Sequence, residues 1–207
     1  MRAKLLNGVR ISFAVLSLSA IIIQLDRHVS FGYSVVNYFS YFTNLSNILF
    51  AVFLLTAGIL ALLGKKESPL FEFVRGASVL CMVIVGVVFS LLLRNVDLGS
   101  LLPWVNIVLH YVMPVVAVAD WLLFSPAAKF KWKHITAWLV FPFVYLTYSL
   151  IRGNATGWYP YPFINPEKSG GYGGVTLYCL GIFALFLAGG WLVVYGTDRK
   201  RKRSGVH

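Results

Sequence analysis

The chain repeatedly produces apolar runs about as long as a hydrocarbon bilayer is thick. Crossing such a layer as a helix takes about 20 apolar residues. Six stretches meet or approach that length: Val9–Leu25, Val36–Leu63, Phe73–Leu93, Leu101–Phe124, Ile135–Ile151 and Tyr172–Tyr195. Only helices and closed barrels satisfy their backbone inside lipid, and these runs lack the alternation of barrel strands. The sequence therefore predicts an all-α polytopic membrane protein, a six-helix transmembrane bundle forming a single domain over 1–207. Composition agrees: 12% of the 207 residues are charged and 58% are hydrophobic, whereas soluble domains carry roughly 25% charged residues.

The net charge of +11 would suit nucleic acid if the basic residues clustered on one face, but long apolar runs separate them. Counted by loop, they mark sidedness instead. Three lie at the N-terminal end (Arg2, Lys4, Arg10), three in the second loop (Lys65, Lys66, Arg75) and three in the fourth (Lys129, Lys131, Lys133). Five more in the tail, Arg199 to Arg203, bring one side to fourteen of the eighteen Lys and Arg. Arg27, Arg94, Arg152 and Lys168 belong to the other side. Both termini are expected to be cytoplasmic. The first apolar run continues past Ser17–Ala20, so it is read as an uncleaved helix rather than a signal peptide.

Polar residues are costly in lipid and therefore informative. The start of the second run, Val36 to Asn47, carries Asn37, Ser40, Thr43, Asn44 and Asn47 at helical spacing. Two readings are open: a cavity facing the outer leaflet, or hydrogen bonds between helices. In the fourth run Asn106 and His110 lie four apart on one face, ahead of Met113 and Pro114. Counted from the starts of their runs, Thr43 and His110 lie at depths of roughly 10 and 13 Å, so a hydroxyl and an imidazole would share a level. A neutral imidazole accepting a proton from Thr is what nucleophilic catalysis by a hydroxyl needs. Asp120 is about 15 Å deeper than His110 and reads as an interfacial or capping residue, so the pair is expected to be a dyad.

The loop from Arg152 to Gly174 is too aromatic for a disordered linker, and its prolines forbid a continuing helix. It is read either as a lid over the cavity or as an interfacial anchor through Trp158 and Tyr159. Arg94 and Arg152 would hold a lipid phosphate or carboxylate, or snorkel to the head groups. Cys81 and Cys179 are read as packing residues, and Gly181, Ala184 and Ala188 as a close-packing helix face. The cysteine and histidine spacing supports neither a metal site nor haem, and no cofactor is expected.

Three segments carry a resemblance: YFTNLSN at Tyr41–Asn47, LHYVMPV at Leu109–Val115 and RGNATGWYPYPFIN at Arg152–Asn165. Together they resemble a bacterial six-pass integral membrane family. More distantly they are similar to the androgen-induced and androgen-dependent intramembrane threonine hydrolases, which cleave fatty acid esters of hydroxy fatty acids. That resemblance implies Thr43 as nucleophile and His110, four residues before Pro114, as base. Trp158-Tyr159-Pro160 resembles that family's aromatic segment before the last helix. The implied setting is a bacterial inner membrane, and the implied partner is a membrane lipid or fatty acyl ester.

The expectation is thus an intramembrane lipid ester hydrolase. Catalysis falls to Thr43 and His110, and substrate binding to Asn44, Asn47, Asn106, Arg152, Trp158 and Tyr159. Asn44, Asn47 or Asn106 would stabilise the oxyanion. The alternative is a lipid-binding or transport protein that uses the same outer cavity without covalent chemistry.

Overall fold

A computed structural model describes residues 2–97 and 99–203, with side chains described over 4–97 and 99–197. It has six helices long and apolar enough to cross a membrane: Lys4–Ser30, Phe42–Leu62, Pro69–Leu93, Pro103–Leu123, Trp132–Thr156 and Gly171–Thr197. These are the first to sixth spans below. No strand occurs among the described residues. The fourteen-residue basic set of the sequence is only partly described, because the side chains of Arg2 and of Arg199–Arg203 lie outside that range.

Local chemistry sets the span ends. Pro69 and Pro103 begin the third and fourth helices, where a missing N–H costs nothing. Ser68 caps the third by accepting from the Phe71 N–H at 3.2 Å. Gly157 ends the fifth in the left-handed conformation (φ 71°), its N–H donating to the Gly153 carbonyl at 2.8 Å. The third span is the core of the bundle, 61% buried along its apolar window, against 17% and 22% for the fifth and sixth. Outward-facing Ile22, Leu91, Val115, Phe143 and Leu177 are exposed, as expected where lipid is the solvent.

The second run is not one helix. A short helix, Val35–Phe39, ends at Ser40, Tyr41 is extended (φ −80°, ψ 125°), and the spanning helix starts at Phe42. The break is held from three directions. Asn44 Nδ2 donates to the Tyr38 carbonyl at 2.8 Å, the Tyr145 hydroxyl to the Ser40 carbonyl at 2.9 Å, and the Tyr38 hydroxyl to the Ile21 carbonyl at 2.7 Å. Thr43 is therefore the second residue of its helix and not some seven residues into it. The depth match expected from sequence does not hold in that form.

Two π-helical turns face each other in the third and fourth spans, Phe89–Leu93 and Val108–Val112. The second has a clear cause. Pro114 has no N–H to give the His110 carbonyl four residues back, and the ladder loosens there, with the Met113 N–H donating to the Val108 carbonyl. Just below, the two spans cross tightly: a Cβ on Gly86 would sit 2.9 Å from Pro114 Cβ.

Two other expectations are corrected. Gly181, Ala184 and Ala188 are exposed, and nothing lies within 4 Å of a Cβ built on Gly181. The sixth span approaches its neighbours closely at the next two residues, where Cβ atoms on Gly189 and Gly190 would meet Leu80 at 2.9 Å and Ile135 at 2.6 Å. Asp120 is not an interfacial cap either. It is 4% exposed and accepts from Arg10 Nε at 2.6 Å and Arg75 Nη1 at 2.9 Å. Glu67 approaches the same two guanidinia at 3.7 and 3.4 Å, and Arg10 stacks 3.6 Å from the Phe124 ring centroid. Two buried cations are thus matched by two carboxylates, on the face of the bundle where the first span starts and the sixth ends. A buried ion needs this pairing, since isolated it costs several kcal/mol.

Candidate functional site

At the opposite face, the short helix, residues 94–97 and 99–102 and the 157–170 loop surround a cavity of about 400 Å³. Thr43 and His110 both line it, with Asn44, Trp158 and Tyr159. Residues 99–102 are fastened from the first span: Gln24 Nε2 and Arg27 Nε donate to the Ser100 carbonyl at 3.2 and 2.8 Å, and the Leu102 N–H donates to Gln24 Oε1 at 2.9 Å.

His110 lies in the π turn of the fourth span, 7% exposed, with its ring stacked on Phe89 at 3.9 Å and 26°. Its Nδ1 is 3.1 Å from the Asn106 carbonyl. A carbonyl only accepts, so Nδ1 carries the hydrogen and a neutral ring keeps its lone pair on Nε2. Asn106 therefore orients the imidazole through its backbone; its side chain lines neither cavity, and its Oδ1 is buried without a partner.

Thr43 sits at the N-terminus of a 21-residue helix, where backbone N–H groups lack partners within the helix and the helix dipole is positive. Its neighbour is Tyr161. The Thr43 N–H donates to the Tyr161 hydroxyl at 3.2 Å, and Thr43 Oγ1 lies 3.4 Å from the same oxygen. Because Tyr161 accepts from the backbone, its own proton is available to Thr43 Oγ1 or to a guest. Burial pushes its pKa up to about 12, so it acts as a donor and not as a base. No hydrogen bond joins Thr43 to His110.

Tyr161 was not among the residues singled out from sequence. Its signal was the density of aromatics and prolines in the loop, which folds inward as well as across the membrane face. Phe163 and Ile164 are buried, Tyr161 stacks on Phe163 with centroids 5.1 Å apart, and Tyr41 meets Trp158 and Tyr161 edge-on at 5.7 Å each.

The other expected binding residues are placed differently. Asn47 is fully buried and ties three spans: Nδ2 donates to the Thr43 and Leu109 carbonyls at 2.9 and 3.2 Å, and Oδ1 accepts from Ser17 at 3.5 Å. Asn44 lines the cavity, but its amide is engaged with the Tyr38 carbonyl. Arg152 lines neither cavity; it donates to Asn37 Oδ1 at 2.6 Å and lies 4.9 Å from the Trp158 ring centroid. It braces the loop from behind.

A second cavity of about 350 Å³ opens between the third, fifth and sixth spans and is almost wholly apolar, with Val85, Leu146, Ile182 and Phe186 among its walls. Four residues line both cavities: Thr43, Phe89, Leu93 and Tyr161. His110 lines only the polar one. The described residues contain no cluster of three or more His, Cys, Asp or Glu able to hold a metal. No family model, no curated protein and no solved structure matches the chain.

Proposed function

We propose that this chain is an intramembrane ester hydrolase acting on a fatty acyl lipid, with Thr43 as nucleophile and His110 as general base and acid. The observation that carries the reading is that Thr43 stands where a polar and an apolar cavity meet, while His110 lines the polar one. An ester has the same division, with a polar reacting centre attached to a chain.

In the first half-reaction Thr43 Oγ1 bonds to the acyl carbon and its proton passes to His110 Nε2. The bond between acyl carbon and alcohol oxygen then breaks, and His110 returns the proton to the departing alcohol. In the second half, water attacks the acyl-threonine and gives a proton to His110; the bond between acyl carbon and Thr43 Oγ1 breaks, and His110 returns the proton to Oγ1, leaving the fatty acid and free Thr43. The oxyanion would be met by the Tyr161 hydroxyl, in the positive field at the N-terminus of the Phe42–Leu62 helix. The backbone amides of Thr43, Asn44 and Leu45 and the side-chain amides of Asn44 and Asn47 are already engaged. Thr43 and His110 have to approach during the reaction; catalytic hydrogen bonds commonly tighten only once substrate is bound.

On this reading both termini lie in the cytoplasm and the polar cavity faces the outer leaflet of a bacterial inner membrane, which the distribution of basic residues along the chain supports. The test is hydrolysis of a fatty acyl ester by purified protein in micelles. Thr43→Ala and His110→Ala should each lower turnover by at least about a hundredfold. Wild-type turnover in both would end the proposal.

A further inference from the structure

The two cavities differ in polarity, and the catalytic groups divide between them in a way that fixes how an ester must lie. His110 has to protonate the departing alcohol, and His110 faces only the polar cavity. The alcohol part must therefore leave on that side. Water for the second half-reaction must reach the same imidazole by the same route. The acyl chain is left with the other direction, past Thr43 and Tyr161 into the apolar cavity walled by Val85, Leu146, Ile182 and Phe186.

The polar cavity is a poor host for a second long chain. Besides its aromatics it presents Asn37, Asn44, Ser100 and Asn165, with Asp97 and Lys168 exposed at its rim. Some of these atoms are already engaged, Asn37 Oδ1 by Arg152, Asn44 Nδ2 by the Tyr38 carbonyl and Asn165 Oδ1 by the Glu167 N–H. An alkyl chain there would strip water from the remaining polar atoms without returning hydrogen bonds, at a cost of about 1–3 kcal/mol for each left unpaired. A small hydroxylated group would satisfy them.

We propose that the substrate is a single-chain ester of a small polar alcohol, glycerol being the simplest. Its acyl chain lies in the apolar cavity and its alcohol in the polar one. This rests on the hydrolase reading, and it departs from the long-chain hydroxy acid leaving group that the family resemblance implies.

The experiment compares two palmitoyl esters on purified protein in micelles, monopalmitoylglycerol and the palmitoyl ester of hydroxystearic acid, each with wild type and Thr43→Ala. The glycerol ester should show kcat/KM at least about tenfold higher, lost in Thr43→Ala, the size that a few misplaced methylenes or unpaired polar groups produce. Equal or faster Thr43-dependent cleavage of the two-chain ester would overturn the substrate assignment and leave the hydrolase standing. Thr43-independent or absent turnover of both would overturn the two together. A second variant checks chain placement. Ile182→Trp narrows the apolar cavity and should cost the palmitoyl ester about tenfold more than the octanoyl ester; equal losses for the two lengths would put the chain elsewhere and overturn the proposal.

Discussion

Asp120→Asn isolates the charge of the buried network at almost constant shape. In the wild type, two guanidinia and two carboxylates balance at a site where Arg10, Arg75 and Asp120 are at most 5% exposed. Asp120 makes the shorter contacts, 2.6 and 2.9 Å, whereas Glu67 lies at 3.7 and 3.4 Å. The amide keeps one oxygen for one guanidinium, turns N–H groups toward the other and leaves the site with one uncompensated positive charge. Breaking a buried pair in this way costs about 3–5 kcal/mol. Unfolding in a micelle titrated with denaturing detergent, followed by tryptophan fluorescence, measures it, because Trp121 lies 5.2 Å from the Arg75 guanidinium carbon. A quadruple variant, Arg10→Met, Glu67→Gln, Arg75→Met and Asp120→Leu, removes both cations and both carboxylates and should lose less than Asp120→Asn alone. A loss under about 1 kcal/mol for Asp120→Asn, or a larger loss in the quadruple variant, would refute the idea that pairing, not shape, holds this end.

Other perturbations read the opposite face. Tyr161→Phe removes only the oxygen that contacts Thr43, and turnover should fall by about 10²-fold while the unfolding midpoint moves little; unchanged turnover would remove Tyr161 from the site. Gly153→Ala places a methyl against the Tyr159 ring, so accessibility of the polar cavity to a thiol reagent at an introduced Ser100→Cys should rise; no change would mean the ring yields without opening the loop. Gly86→Ala drives a methyl against the rigid ring of Pro114 and should destabilise by about 1–3 kcal/mol in the same detergent titration. Asn47→Leu, which removes hydrogen bonds joining the first, second and fourth spans, should cost about 1–2 kcal/mol, and wild-type stability would show that those bonds are not needed.

The six spans were readable because lipid imposes one requirement on every stretch, a length of apolar backbone, and that requirement is local in sequence. Pairings between distant residues had no such signature. Arg10 and Arg75 looked like loop cations and Asp120 like a cap because the residues that neutralise one another lie 110 and 45 positions apart. The break at Ser40–Tyr41 was hidden for a related reason: the apolar run continues through it, and the groups that hold it, the Ile21 carbonyl that anchors Tyr38, the Tyr145 hydroxyl and the Asn44 amide, belong to other segments or a later turn. Thr43 and His110 do line one cavity, but the helical depth count that suggested it started from a helix that does not begin where the apolar run does. The π turn at His110 was closer to legible, since a proline four residues on removes one hydrogen bond of the ladder.

That π turn gives the site an angular phase. An α-helix advances about 100° per residue, and a π turn is one residue slipped into the winding. Deleting a single residue just before His110 would let the ladder close as an ordinary α-helix and swing the imidazole about a quarter-turn off Phe89. The rest of the helix would keep its length and its greasy surface. Insertion into the membrane, helix content and much of the stability depend on quantities such a deletion barely alters. Catalysis, on the reading proposed, depends on rotation. A bundle of this kind can therefore gain or lose its chemistry by a change of one residue in register, leaving behind a membrane protein that looks intact by every bulk measure.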